Sequence, residues 1–140
     1  MSVCELCASD GGEVLVQNAD WRVILVDDAN YPGFCRVIWN AHAAEMTDLA
    51  PEQRSSIMQA VCKVEQALRD VLQPDKINLA SLGNMVPHLH WHVIPRYRDD
   101  AHFPNPVWGA PRAAAPDAAV LAARRALLPA LRQAILAQFS

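Results

Sequence analysis

His88, His90 and His92 alternate with Leu89, Trp91 and Val93 in the run His88-Leu-His-Trp-His-Val-Ile-Pro95. On an extended chain alternate side chains face the same way, so the imidazoles share one face and the apolar groups the other. The apolar face can pack on a helix. The imidazole face has no packing reason, since Thr or Lys would serve a solvated face as well. A neutral imidazole is a good nucleophile near neutral pH, and a covalent intermediate on it splits one hard displacement into two. His90, flanked on both sides, is the natural nucleophile, with His92 the flanking donor to phosphate oxygens. Backbone N–H groups of the Gly83–Val86 loop add donors where charge would build. One metal shared by all three is disfavoured. His88 and His92 would lie about 13 Å apart along a strand, whereas each ligating nitrogen must come within about 2.1 Å of zinc.

His88 is thereby free for another duty. Cys4-x-x-Cys7 is either a redox pair or half of a zinc site, and it lacks the preceding strand of a thioredoxin-like motif. Two thiolates and two imidazoles make a closed tetrahedral zinc set. Candidates for the imidazoles are His42, His88 and His102. Cys35 and Cys62 stand alone in apolar segments and read as buried small hydrophobes.

These groups need elements to position them. Residues 13–17, 21–26 and 35–39 read as strands divided by Asn/Asp/Pro/Gly turns. Pro51 opens a helix, with Gln53 placed for the far half of a capping box. Ile57, Val61, Val64, Leu68 and Leu72 form its apolar stripe, which ends before Pro74. Residues 76–82 alternate as a strand, and the histidine run of residues 88–95 follows as another. Pro116 and Asp117 start a last helix with Val120, Leu127, Leu131 and Ile135 in its stripe, and Pro129 predicts a kink rather than a break. Arg124 falls within that stripe, its stem packed and its head reaching water. The order β-β-β-α-β-β-α predicts an α+β domain on an antiparallel sheet.

At 140 residues the chain is about one domain long. Its 52% apolar and 19% charged residues describe a globular protein. No apolar run is long enough to span a bilayer, and the start Met1-Ser-Val-Cys lacks the layout of a secretory signal. A cytoplasmic protein with no membrane partner is expected. Net charge is −3, with +3 on residues 110–140 (four Arg, one Asp) and −6 on the first 109. That distribution argues against a nucleic-acid polymer as partner, while a small phosphate ligand fits.

The His-apolar-His-apolar-His run followed by two apolar residues resembles the histidine triad (HIT) family. The likeness extends from Cys4 to Trp108 and takes in the Cys pair, the Asp27 turn leading to Pro32-Gly33, His42 before the helix, and the Asn78 strand. It implies an α+β HIT-like fold, with a five-stranded antiparallel sheet and two helices, and a homodimer. The domain core would be 1–109, with 110–140 an Ala-rich helical extension packed on it. The implied activity is nucleotidyl hydrolysis or transfer at the α-phosphate of an adenine-type nucleotide or dinucleoside polyphosphate. Carried over by position, His90 is the nucleophile and His92 contacts phosphate. Asn78, Asn84 and Met85 line the phosphate pocket, and Asp27, or Asp28 in a one-residue shift, holds the ribose. Zinc on Cys4, Cys7, His42 and His88 would be structural. Phe34, Met85 and Trp39-Asn40 depart from common family residues. With Pro87 and the 103–108 segment, they resemble the bacterial branch labelled diadenosine polyphosphate hydrolase-like. Two other readings stay open: a nucleotide-binding regulatory module without turnover, and a strand-borne His metalloenzyme.

Overall fold

A computed structural model describes residues 3–140; Met1 and Ser2, where the reading of the export signal begins, lie outside the described residues. Five strands, β1 (Glu13–Gln17), β2 (Trp21–Leu25), β3 (Cys35–Trp39), β4 (Lys76–Ala80) and β5 (His90–Arg96), form one sheet in the order β1-β2-β3-β5-β4. Every neighbouring pair is antiparallel. The internal position of β5 matters most, because it sets the histidine strand between β3 and β4.

Alternation decides which side of the sheet is dry. Trp21, Val23 and Leu25 of β2, Cys35, Val37 and Trp39 of β3, and Val93 of β5 share one core with the helix α2 (Pro51–Leu72). All five residues of the α2 stripe are buried there. Each fully buried aliphatic side chain contributes roughly 1.5–3 kcal/mol over an exposed one. Pro51 occupies the first turn of α2, and the Gln53 side-chain oxygen accepts the Ala50 N–H at 2.8 Å. Gln73, in the left-handed region at φ 47°, ends the helix before Pro74. Cys62 is exposed rather than buried. It follows Val61 directly, so it is turned about 100° from the stripe.

The C-terminal region is two helices, α3 (Ala118–Arg125) and α4 (Leu128–Gln138), where a kinked single helix was expected. Pro129 has no N–H to give to the preceding turn, and the chain tightens there through Leu127 N–H to the Arg124 carbonyl, 3.0 Å. Leu127 is consequently exposed, while Leu131 and Ile135 are buried in the main core beside α2. Arg124 lays its guanidinium 3.4 Å over the Tyr97 ring and pairs with Asp99.

A short α1 (Glu5–Ala8), not anticipated, carries the cysteine pair onto the opposite face of the sheet, where Leu6 packs on Ile24 and Ile38. Buried Arg22 clips it down. Its guanidinium donates to the carbonyls of Leu6, Ser9 and Asp10 and to the Asn40 side-chain oxygen, at 2.8–3.1 Å. Among the described residues no helix is long and apolar enough to cross a membrane.

Candidate active site

The histidine run divides its labour before the strand begins. β5 starts at His90, so His88 is not a strand residue as the alternation predicted. Pro87 cannot donate to a ladder, and the His88 N–H turns back to the Val86 carbonyl, 2.8 Å. That turn sends the His88 ring toward the cysteines. Its Nε2–H donates to the Trp39 carbonyl at 2.6 Å, leaving the Nδ1 lone pair free. Nδ1 lies 3.3 Å from Cys4 Sγ and 3.5 Å from Cys7 Sγ, and His42 Nδ1 lies 3.5 Å from Cys7 Sγ.

The donor atoms of Cys4, Cys7, His42 and His88 all fall within 4.8 Å of one another. A tetrahedral zinc with sulfur at about 2.3 Å and nitrogen at about 2.1 Å needs S···N separations of roughly 3.5 Å, so the set fits that ion. The Trp39 carbonyl supplies the outer hydrogen bond that ligating histidines usually have. His102 is elsewhere: its ring is hydrogen-bonded to the Tyr31 hydroxyl at 2.6 Å.

His90 and His92 face a cavity of about 540 Å³, walled by Glu5, Arg36, the 82–86 loop and Trp108. His90 Nδ1–H donates to the His88 carbonyl at 2.6 Å, which leaves Nε2 as a lone pair. The rings of His90 and His92 stand edge to face, 4.8 Å between centroids. Arg36, opposite His92 in the ladder, donates Nε–H to His92 Nδ1 at 3.3 Å. The ring proton of His92 therefore sits on Nε2. Burial holds His90 below the ordinary histidine value and lowers His92 to about 4, with the charges of His90 and Arg36 adding to the second shift. Both rings are neutral at pH 7, one a base and the other a donor.

Asn84 and Met85 line this cavity, Met85 almost fully exposed. Asn78 shares the histidine face, opposite Ile94, but its Oδ1 accepts from Arg96 Nη1 at 2.7 Å and it is not in the cavity wall. Asp27 and Asp28 line a separate cleft of about 560 Å³ beside Glu13, Arg125 and Arg132. A basin of about 510 Å³ lies between the two. It shares Glu5, Leu6 and Arg36 with the histidine cavity and Gly12 with the Asp27 cleft.

Sequence reasoning missed Arg36 and Trp108. A charge inside an otherwise apolar strand was the available signal for Arg36. Trp108, whose ring lies 4.9 Å from His92, gave no signal beyond being an aromatic among prolines. A buried hub brings its segment in. Asp100 accepts from Arg96 twice, from Tyr31, and from the N–H groups of Tyr97, His102 and Phe103.

An antiparallel five-stranded α+β sheet, with one face on helices and a histidine-bearing strand on the other, defines the fold class. The HIT domain profile matches residues 10–99, and the chain belongs to that family. Among solved structures it is similar to a histidine triad protein from Bradyrhizobium japonicum, at 33% identity and TM-score 0.71 over 90% of this chain and 92% of that one. A fission yeast (Schizosaccharomyces pombe) asymmetrical bis(5'-nucleosyl)-tetraphosphatase is 31% identical over 49% of this chain and 41% of its own. An AP-4-A phosphorylase from Mycobacterium tuberculosis is 28% identical over 51% of this chain and 40% of its own. The matches thus span less than half of these two relatives, and they support the diadenosine polyphosphate branch of the family.

Proposed function

We propose that this protein is a nucleotide phosphohydrolase or nucleotidyl transferase that attacks the α-phosphate of an adenine-type nucleotide or dinucleoside polyphosphate. The observation that carries this reading is the His90 ring, held by the His88 carbonyl with its Nε2 lone pair bare beside the His92 donor. Nε2 forms a bond to phosphorus, the bridging P–O bond breaks, and the leaving phosphate departs with the electron pair. The imidazole keeps its Nδ1 proton, and the His88 carbonyl stabilises the charge that develops on the ring. His92 Nε2–H donates to a non-bridging oxygen, and N–H groups of the 83–86 loop contribute further donors as charge builds.

An acceptor then attacks phosphorus, the P–N bond breaks, and its electron pair returns to Nε2. With water the acceptor proton leaves to solvent and the product is a monophosphate. With inorganic phosphate the product is a diphosphate. The relatives' names, a tetraphosphatase and a phosphorylase, support one chemistry with two acceptors. Asn84 and Met85 flank the phosphate chain. The nucleoside runs along the groove toward Gly12, which borders the cleft holding Asp27, the ribose contact.

Zinc on Cys4, Cys7, His42 and His88 would cross-link α1, the loop after β3 and the start of the histidine run. The residues fit that ion, and no step of the reaction uses it. A homodimer, on family grounds, and a cytoplasmic location, expected from the sequence, complete the reading. His90→Ala tests the mechanism: release of nucleoside monophosphate should fall below detection, while the melting temperature and zinc content stay at wild-type levels. Unchanged turnover in that variant overturns it. Acid-labile labelling of His90 by a radiolabelled nucleotide distinguishes the enzyme from a binding module.

A further inference from the structure

Arg36 is a cation set in the run Cys35-Arg-Val-Ile-Trp39. Strand alternation turns it away from the helix-covered core and onto the histidine face, opposite His92. Among the described residues it has no carboxylate within ion-pair distance. Its Nε–H is engaged by His92 Nδ1, while its two Nη groups donate to nothing among the described residues. Arg36 lines both the histidine cavity and the basin beyond it. Glu5 borders both as well, and Asp10 lines the basin. A phosphate chain would meet carboxylates past Arg36 and the His92 N–H before it.

We infer that Arg36 is both a phosphate-binding residue and a positioning residue. Its open guanidinium fork takes non-bridging oxygens of the attacked phosphate, and its Nε–H fixes His92 as the Nε2–H donor to that same group. Guanidinium suits the place because its planar fork matches phosphate in two parallel bonds and stays charged when half-buried. The inference rests on the proposed nucleotide site for its ligand, and it adds the residue that makes the site select for phosphate and that sets a tautomer.

Arg36→Met and Arg36→Gln separate the two roles, the first lacking charge and donor, the second lacking charge only. AMP and adenosine are titrated into each purified, metal-loaded protein by calorimetry. Arg36→Met should weaken AMP roughly tenfold or more, the size of one charge-assisted hydrogen bond, and adenosine less than about threefold. Nitrogen-15 shifts of the His92 ring should report one Nε2–H tautomer in wild type, a mixture in Arg36→Met, and recovery in Arg36→Gln. Equal losses for AMP and adenosine, or an unaltered His92 tautomer in Arg36→Met, overturn the inference. If AMP discrimination depends on Arg36 yet His90→Ala turns over normally, the nucleophile assignment fails and the phosphate clamp stands.

Discussion

His92 accepts the Arg36 Nε–H at Nδ1 only while neutral, and the fold favours that state. Burial, reinforced by the charges of His90 and Arg36, lowers it to about 4, against roughly 6.5 in an unfolded chain. Between those values the unfolded chain binds a proton that the folded one does not, so stability falls as pH drops through the window from about 6.5 to about 4. Urea midpoints at pH 7.5 and 4.5 should show the loss, and His92→Gln should reduce it, since glutamine does not titrate. That His90 and His92 share one face was legible in the run of alternating histidines. Arg36 was not, because its meaning depends on facing His92, 56 residues away, across a β3–β5 pairing that local alternation does not specify.

The 97–109 segment has no regular structure, and its place over the site depends on one buried pair. Arg96 and Asp100 are both nearly inaccessible, 2.8 Å apart. Desolvation pushes the Asp100 carboxyl up, but the Arg96 guanidinium and three backbone N–H groups outweigh it and hold it well below the usual carboxylate range. Asp100→Asn leaves Arg96 buried without its counter-charge and should cost about 3–5 kcal/mol, read from chemical denaturation at pH 7. Trp108 fluorescence should shift as the segment loosens. In the native protein this contribution is present at neutral pH and lost only below the ordinary carboxylate range, as Asp100 takes up a proton. The strands and α2 were readable because their patterns are local: alternation in β2 and β3, a 3–4 stripe from Ile57 to Leu72. The departure of His88 from its strand was not, because it is made by a turn onto Val86 and by sulfurs more than eighty residues away. Pro129 was visible, but whether it kinks or breaks a helix depends on how α4 seats Leu131 and Ile135 against α2.

At the scale of the molecule, the four-residue metal set ties together pieces far apart in sequence. Cys4→Ser with Cys7→Ser should lower bound zinc from about one per chain to none and reduce the melting temperature, by analogy with the folding contribution of structural zinc elsewhere. Residual turnover per folded molecule should remain, because no ligand enters the proposed chemistry; complete loss in protein shown to be folded would assign the metal a direct part. Mass spectrometry under native conditions reads the stoichiometry, and the same spectrum reports the number of chains. His88 joins the two halves of this picture: its ring faces the sulfurs, and its carbonyl accepts a hydrogen bond from His90 Nδ1–H. The link between the two sets runs through the backbone of position 88 and not through its ring. Replacing the His88 ring removes a metal ligand and keeps the backbone carbonyl that holds His90, so bound zinc should fall while the His90 proton stays on Nδ1.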